Sequence, residues 1–213
     1  KLLNKANTAQ REAYVEQLKV SLDLATHGKE HIVYVDEAHI HLDTDEGYGW
    51  TVKGQRAWIS SCSPGLAKVS FYGVYFYNQG AVQIHPFDKA DSDNTLAVLK
   101  KIRAEFAESD KVTLIWDNAS YHRSGLTQQA ARDINIRLMP LPAYSPDFMP
   151  VEHLWRWLRE DVTYHRCYEH GSVLIEKVKE FEKNINVNPN VITDRLWTKT
   201  SLNKNDEKLR FSN

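Results

Sequence analysis

Two short apolar runs, 31–35 (HIVYV) and 112–116 (VTLIW), each lead directly into an aspartate, Asp36 and Asp117. Runs of this length, rich in β-branched and aromatic residues, read as buried strands. Between them, 50–59, 69–77 and 81–84 are β-rich segments separated by Ser-Pro-Gly and Gly punctuation. With the first strand they predict an antiparallel meander. Residues 91–107 change to a helical period, with Leu96, Leu99, Ile102 and Phe106 on one stripe and Ser92 or Asp93 placed to cap it. After the second run, a helix over 125–132 leads to a strand over 134–139. Strand, helix, strand implies a parallel crossover. The expected fold class is α/β, a mixed sheet of antiparallel meander plus parallel strands, flanked by helices.

The flanks of this sheet are helical. Residues 1–28 place Ala13, Leu18, Leu22 and Leu24 on one face and stop at Gly28, which reads as a linker or flanking helix over 1–30. The segment 140–150 carries four of the chain's seven prolines, too many for a helix or a central strand, and so predicts a rigid loop. Pro150 then opens a helix whose apolar face is Val151, Leu154, Trp155, Leu158 and Val162. A further helix spans 172–184, and the Asn-rich tail over 187–213 is expected to be peripheral, which leaves 31–186 as the main domain. At 213 residues with 42% hydrophobic content the chain can bury a sizeable core, so disorder and fibres are excluded. The apolar runs are far shorter than the roughly 20 residues of a membrane helix, and no secretory signal opens the chain. Cys62 and Cys167, neither in a CxxC pattern, predict no disulfide framework and a reducing, intracellular setting. A first residue of Lys1 suggests a fragment or processed product.

Chemistry concentrates in three acids. If the strands ending in Asp36 and Asp117 are neighbours, both carboxylates emerge at one edge of the sheet. Glu152 follows in the first turn of the helix after the proline loop, with 34 residues between it and Asp117. Three converging carboxylates repel unless a cation neutralises them, and hard oxygen ligands suit Mg²⁺ or Mn²⁺. Two such ions about 4 Å apart activate a nucleophile and stabilise the leaving oxygen of a phosphodiester. Simpler roles compete: aspartate starts turns, and Glu152, with Met149 as N-cap, sits where a glutamate caps a helix. Asn118 and His122 follow Asp117, while Arg156 and Arg159 share a helix side with Glu152 and suit phosphate contact, or are simply a solvated face.

The blocks VDEAHI (35–40), WDNASYH (116–122) and LPAYSPDFMPVEHLW (141–155) resemble, in order and spacing, the three signature blocks of DDE transposases of the mariner superfamily, particularly its bacterial insertion-sequence branch. The resemblance covers roughly 31–165 and implies an RNase H-like fold with Asp36, Asp117 and Glu152 as catalytic residues holding two Mg²⁺ (or Mn²⁺) ions. It implies cut-and-paste transposition: water cleaves transposon ends, and the freed 3′-hydroxyl attacks target DNA, typically at TA. It also implies DNA as partner, a homodimer on DNA, and a cytoplasmic, nucleoid-associated bacterial setting. Trp50, Lys53 and Gly54 resemble the family's hairpin between the first two strands. Two features depart from the pattern: Phe148 and Met149 stand where the family has Leu-Asn before the proline, and about 30 residues before the first strand leave no room for the family's helix-turn-helix module. A missing module accounts for a net charge of −1 in a DNA-acting chain, and the acidic segment at 31–60, with five acids against two bases, repels phosphate unless something cationic sits between them.

Other assignments stay open on these residues. His39 and His41, with Asp36 and with His122, His153 or His165, offer a zinc set lacking a closely spaced third ligand. Paired carboxylates also serve glycosidases, but no aromatic sugar platform is evident. Asn118, His122, His153, Arg156 and Arg159 are expected to support the acids or to contact DNA. Trp155 belongs to the core stripe, whereas Trp157 is expected to be exposed toward a base or a partner subunit. A catalytically silent relative and a nuclease that cuts without joining are the alternatives to a transposase.

Overall fold

Strands β1 (His31–His41), β2 (Lys68–Phe76), β3 (Ala81–Phe87), β4 (Val112–Trp116) and β5 (Ile136–Pro140) form one sheet in a computed structural model that describes residues 5–47, 49–62 and 65–202. Their order is β3-β2-β1-β4-β5. β1, β2 and β3 pair antiparallel, as adjacent hairpins require, and β1, β4 and β5 pair parallel through helical crossovers. Helices α1 (Thr8–Thr26), α2 (Ser92–Ala104), α3 (Gly125–Asp133), α4 (Val151–Leu158), α5 (Gly171–Ile185) and α6 (Pro189–Arg195) complete the chain. The mixed sheet flanked by helices is the expected fold class.

Alternation along each strand divides the core in two. Val33, Val35, Tyr72 and Val74 meet Val98, Leu99 and Ile102 of α2 on one face. Ile32, Tyr34, Phe71 and Tyr75 meet residues of α1, α4, α5 and α6 on the other. A sheet buried on both faces needs apolar residues at both parities, which is why the strands read as continuous apolar runs. The edge strand β3 is not left open. Val82 N–H donates to Asn186 Oδ1 at 2.9 Å and Ile84 N–H to Glu182 Oε2 at 3.1 Å, so side chains around the end of α5 cover the groups that could pair with another strand.

Several expectations are corrected. α1 begins at Thr8, with Asn7 capping it through a bond from Gln10 N–H, and the first four residues of the expected helix lie outside those described. Its buried stripe is Arg11, Tyr14, Val15, Leu18, Ser21 and Ala25, while Ala13 is exposed. Arg11 is buried because its guanidinium donates to both oxygens of Asp147, at 2.9 and 2.6 Å, and lies over the Phe148 ring. Asp91, not Ser92 or Asp93, caps α2 by accepting from Asn94 N–H at 2.9 Å. In the tail, Ile192 and Leu196 are fully buried, so the described part of it belongs to the core; 203–213 lie outside the described residues.

The β-rich reading of 50–59 does not become a strand. Among the described residues no second strand lies alongside to pair with it, and Trp50, Val52 and Trp58 stay exposed. The base of this arm is tied to the body: Ser61 Oγ donates to Asp43 Oδ1 at 2.5 Å, and Thr44 Oγ1 to the Ser60 carbonyl at 2.7 Å. Cys62 and Cys167 form a disulfide with Cα atoms 6.1 Å apart, which overturns the expectation of unpaired cysteines. They are 105 positions apart, so their meeting depends on the fold and not on local spacing. Among the described residues no helix is long and apolar enough to cross a membrane.

Candidate active site

The site is set by where the pairing of β1 with β4 stops. The last register pair is Tyr34 with Ile115, and two residues beyond each stand Asp36 and Asp117. β1 does not end at its aspartate, as its apolar run suggests; it continues to His41 along β2, so Asp36 lies within the strand, opposite Gly73. Asp117 follows the end of β4, with a half-exposed side chain.

Helix α4 lies over this point. Trp155 Nε1–H donates to Asp36 Oδ2 at 3.0 Å, so the buried indole both fills the core and orients the first carboxylate. Gly73 makes that seat possible: a Cβ there would lie 2.6 Å from Trp155 Cζ2 and 2.9 Å from Val151 Cγ1. A glycine inside a strand marks a close approach of another element, and the FYGVYF run carries that signal, which the sequence reading passed over. The same seating brings Glu152, in the first turn of α4, near Asp36. Pro150 occupies the N-cap of α4, so Met149 does not cap it and Glu152 is its second residue. Among the described residues the Glu152 carboxylate makes no capping bond, which removes the simpler role considered for it. Asp147 does not substitute as cap either, being held by Arg11 and by Lys199 at 2.9 Å.

The electrostatics identify the crowding. Burial, then the charges of Glu152 and Glu37, and last that of Asp117, push the Asp36 carboxyl well above the usual range, opposed only by the Trp155 N–H. Asp117 is held below the ordinary carboxylate range, chiefly by a hydrogen bond from His122 and also by the Ala119 N–H at 2.9 Å, with burial opposing. His122 is 1% exposed, with Nδ1 2.8 Å from Asp117 Oδ1 and Nε2 3.0 Å from Glu37 Oε1. Burial pulls its pKa down, but the hydrogen bonds and charges of the two carboxylates outweigh it and push it up to about 9. At neutral pH it is then an imidazolium donating to both acids, stacked on Trp116 at 4.1 Å.

The remaining candidates divide. Asn118 donates from Nδ2 to the Leu141 carbonyl, tying the loop after β4 to the proline-rich loop. His153 is half-buried against the Trp197 ring at 5.4 Å, and burial, followed by the Arg156 charge, lowers its pKa. Arg156 is exposed, and Arg159 lies 3.8 Å from Asp45 at the base of the arm. Trp157, expected at the surface, is 7% exposed; it donates to Asp161 Oδ2 at 3.0 Å and packs edge-on against Phe181. The π turn over Arg159–Thr163 that follows α4 puts Asp161 within its reach. His39 shares a hydrogen bond with Ser70 Oγ at 2.9 Å, and among the described residues it joins no group of three metal-ligating side chains. Among the described residues the group of three ligand types whose atoms approach within 4.8 Å is Glu37, Asp117 and His122. In this arrangement both His122 ring nitrogens are bonded to carboxylates, leaving neither free for a cation. Glu37, adjacent to Asp36 in the first block, is a site residue the sequence reading left out.

Comparison with known proteins gives the following. The family described as DDE superfamily endonuclease matches residues 31–175. The insertion element IS630 uncharacterized 39 kDa protein of Shigella sonnei is 30% identical over 161 residues, covering 74% of this chain and 46% of that protein. The chain thus spans about half the length of this curated relative. Two solved structures, the Mos1 strand transfer complex and the Mos1 mariner paired end complex with Mn, each superpose with a TM-score of 0.63 at 16% identity, covering 92% of this chain and 63% of theirs. At that identity the likeness establishes a shared fold.

Proposed function

The chain belongs to the DDE superfamily endonucleases, and from that premise we propose that it is the catalytic core of a DNA transposase, which cuts transposon ends and joins them to target DNA. The observation that carries this reading is that α4, seated on Gly73, sets Glu152 close enough to Asp36 for its charge to raise the Asp36 carboxyl, with a smaller effect from Asp117. The residues fit divalent cations. Asp36 is a part-buried carboxylate crowded by other acids with one N–H to offset them, and a cation would relieve that arrangement. Asp36, Asp117 and Glu152 would hold two Mg²⁺ or Mn²⁺ ions, which when bound activate a water or 3′-hydroxyl nucleophile and stabilise the leaving oxygen.

The other residues prepare this site. Trp155 fixes Asp36, and the Ala119 N–H and His122 fix one oxygen of Asp117. Arg156, exposed one turn beyond Glu152 on α4, is placed to meet a DNA phosphate. The unit that does this is residues 31–186 together with α1 and α6, which pack into its core. A net charge of −1 gives this chain no overall electrostatic pull on DNA, so its phosphate contacts have to be local. That two of the structures sharing its fold are a strand transfer complex and a paired end complex with Mn supports DNA and a divalent metal as partners.

The test is incubation with labelled transposon-end DNA, supercoiled plasmid and Mg²⁺. Joined products support the proposal, nicks without joining reduce it to a nuclease, and no product indicates a silent relative. Asp117→Asn is expected to abolish every product while still showing a cooperative thermal melt, lowered by the lost bond to His122; a folded variant that still cleaves would sink the metal assignment.

A further inference from the structure

We infer that Glu37 and His122 are positioning residues that hold Asp117 in the rotamer that presents its free oxygen to a divalent cation; this rests on the reading of Asp117 as a metal ligand. The geometry is a relay across the sheet. Asp36 and Glu37 are consecutive in β1, so their side chains leave opposite faces: Asp36 meets Trp155 of α4, and Glu37 lies on the α2 side, in register with Tyr72. Glu37 therefore cannot share the Asp36 cleft. Its side chain, 7% exposed, instead accepts from His122 Nε2 at 3.0 Å.

His122 is clamped on every side. Its ring is stacked on Trp116 with an interplanar angle of 9°, Tyr121 meets it edge-on at 4.6 Å, and its carbonyl accepts from Gln128 Nε2 at 2.9 Å. What remains free to be directed is the carboxylate beyond it. Nδ1 and the Ala119 N–H both reach the same Asp117 oxygen, Oδ1, at 2.8 and 2.9 Å. Among the described residues no hydrogen bond reaches Oδ2. Two donors converging on one oxygen fix both side-chain torsions of Asp117 and leave the other oxygen as the one open to a cation. A half-exposed aspartate on a loop otherwise samples several rotamers, and each would have to be frozen out when a metal binds. Groups that orient metal ligands in this way alter metal affinity about 10- to 100-fold when removed.

The experiment is Mn²⁺ titration of the 213-residue chain, with free Mn²⁺ read by electron paramagnetic resonance, on Glu37→Ala, Glu37→Gln, His122→Asn and Asp117→Asn. Cleavage kinetics at saturating Mn²⁺ accompany it. Glu37→Ala and His122→Asn should weaken Mn²⁺ binding about 10-fold or more, and lower kcat without raising KM for DNA. Glu37→Gln keeps an acceptor for Nε2–H and should recover affinity relative to Glu37→Ala. Circular dichroism melts identify any variant that fails to fold; if His122→Asn fails, the two Glu37 variants decide. Parent-like Mn²⁺ affinity in Glu37→Ala, with Asp117→Asn defective, overturns the positioning role and leaves the site standing. Parent-like affinity in Asp117→Asn overturns the metal reading itself. Loss of one whole Mn²⁺ equivalent in both Glu37→Ala and His122→Asn, with the other unchanged, makes them ligands and also overturns the inference.

Discussion

Asp36 is a carboxylate in an environment that disfavours its charge, and one indole N–H is what the protein offers in return. Trp155→Phe keeps the aromatic packing and removes that donor. We expect it to lower stability by about 1–2 kcal/mol without metal, measured by urea unfolding, and to lose part of that deficit when Mn²⁺ is added. An equal deficit with and without Mn²⁺ would mean that the indole matters only as packing. The three acids and the VDEAHI, WDNASYH and LPAYSPDFMPVEHLW blocks were legible in the sequence because residue identity and order carry the chemistry. The partners of those acids were not. Whether Trp155 fills the core or bonds to Asp36 depends on a separation of 119 positions, and the bond from His122 to Glu37 spans 85.

At the scale of elements, two contacts seat α4 and its neighbours on the sheet. Gly73 leaves room for the Trp155 indole, and Gly73→Ala forces α4 away from β2. The expected cost is about 1–3 kcal/mol by thermal melt, with a larger fractional loss of cleavage than of DNA binding. The second contact joins α1 to the proline-rich loop. Asp147 is held down to about 2 by Arg11 and Lys199 against the opposing effect of burial. A folded pKa below the unfolded one gives stability that is complete above pH 4 and fades as pH falls through about 2. The shift corresponds to about 2 kcal/mol, so Asp147→Asn should melt below the parent at pH 6 and alike near pH 2. A constant gap would show that the pair contributes by shape alone. Element types were readable where periodicity and both-face burial agreed, as in β2, β4 and α5. The arm at 50–59 shows why that failed elsewhere: β-rich composition does not make a strand without a neighbour to pair with.

For the molecule as a whole, the sheet order follows from rules the sequence obeys: antiparallel neighbours for β1 to β3, and helical crossovers to the parallel strands β4 and β5. Long-range closure does not follow from them. The Cys62–Cys167 bond joins the arm to the segment after α4, and α6 buries Ile192 and Leu196 although its surroundings are rich in Asn. Both depend on which surfaces meet once the sheet exists, and a chain read locally holds no trace of that. The proposed cation site likewise depends on surfaces meeting, since it draws its acids from β1, from the loop after β4 and from α4. Anomalous diffraction from a crystal soaked in Mn²⁺ tests it most directly. Mn²⁺ peaks bounded by Asp36, Asp117 and Glu152 are expected, with His122 still bonded to Asp117; peaks between Glu37 and His122, or none near Asp36, would refute the proposed site.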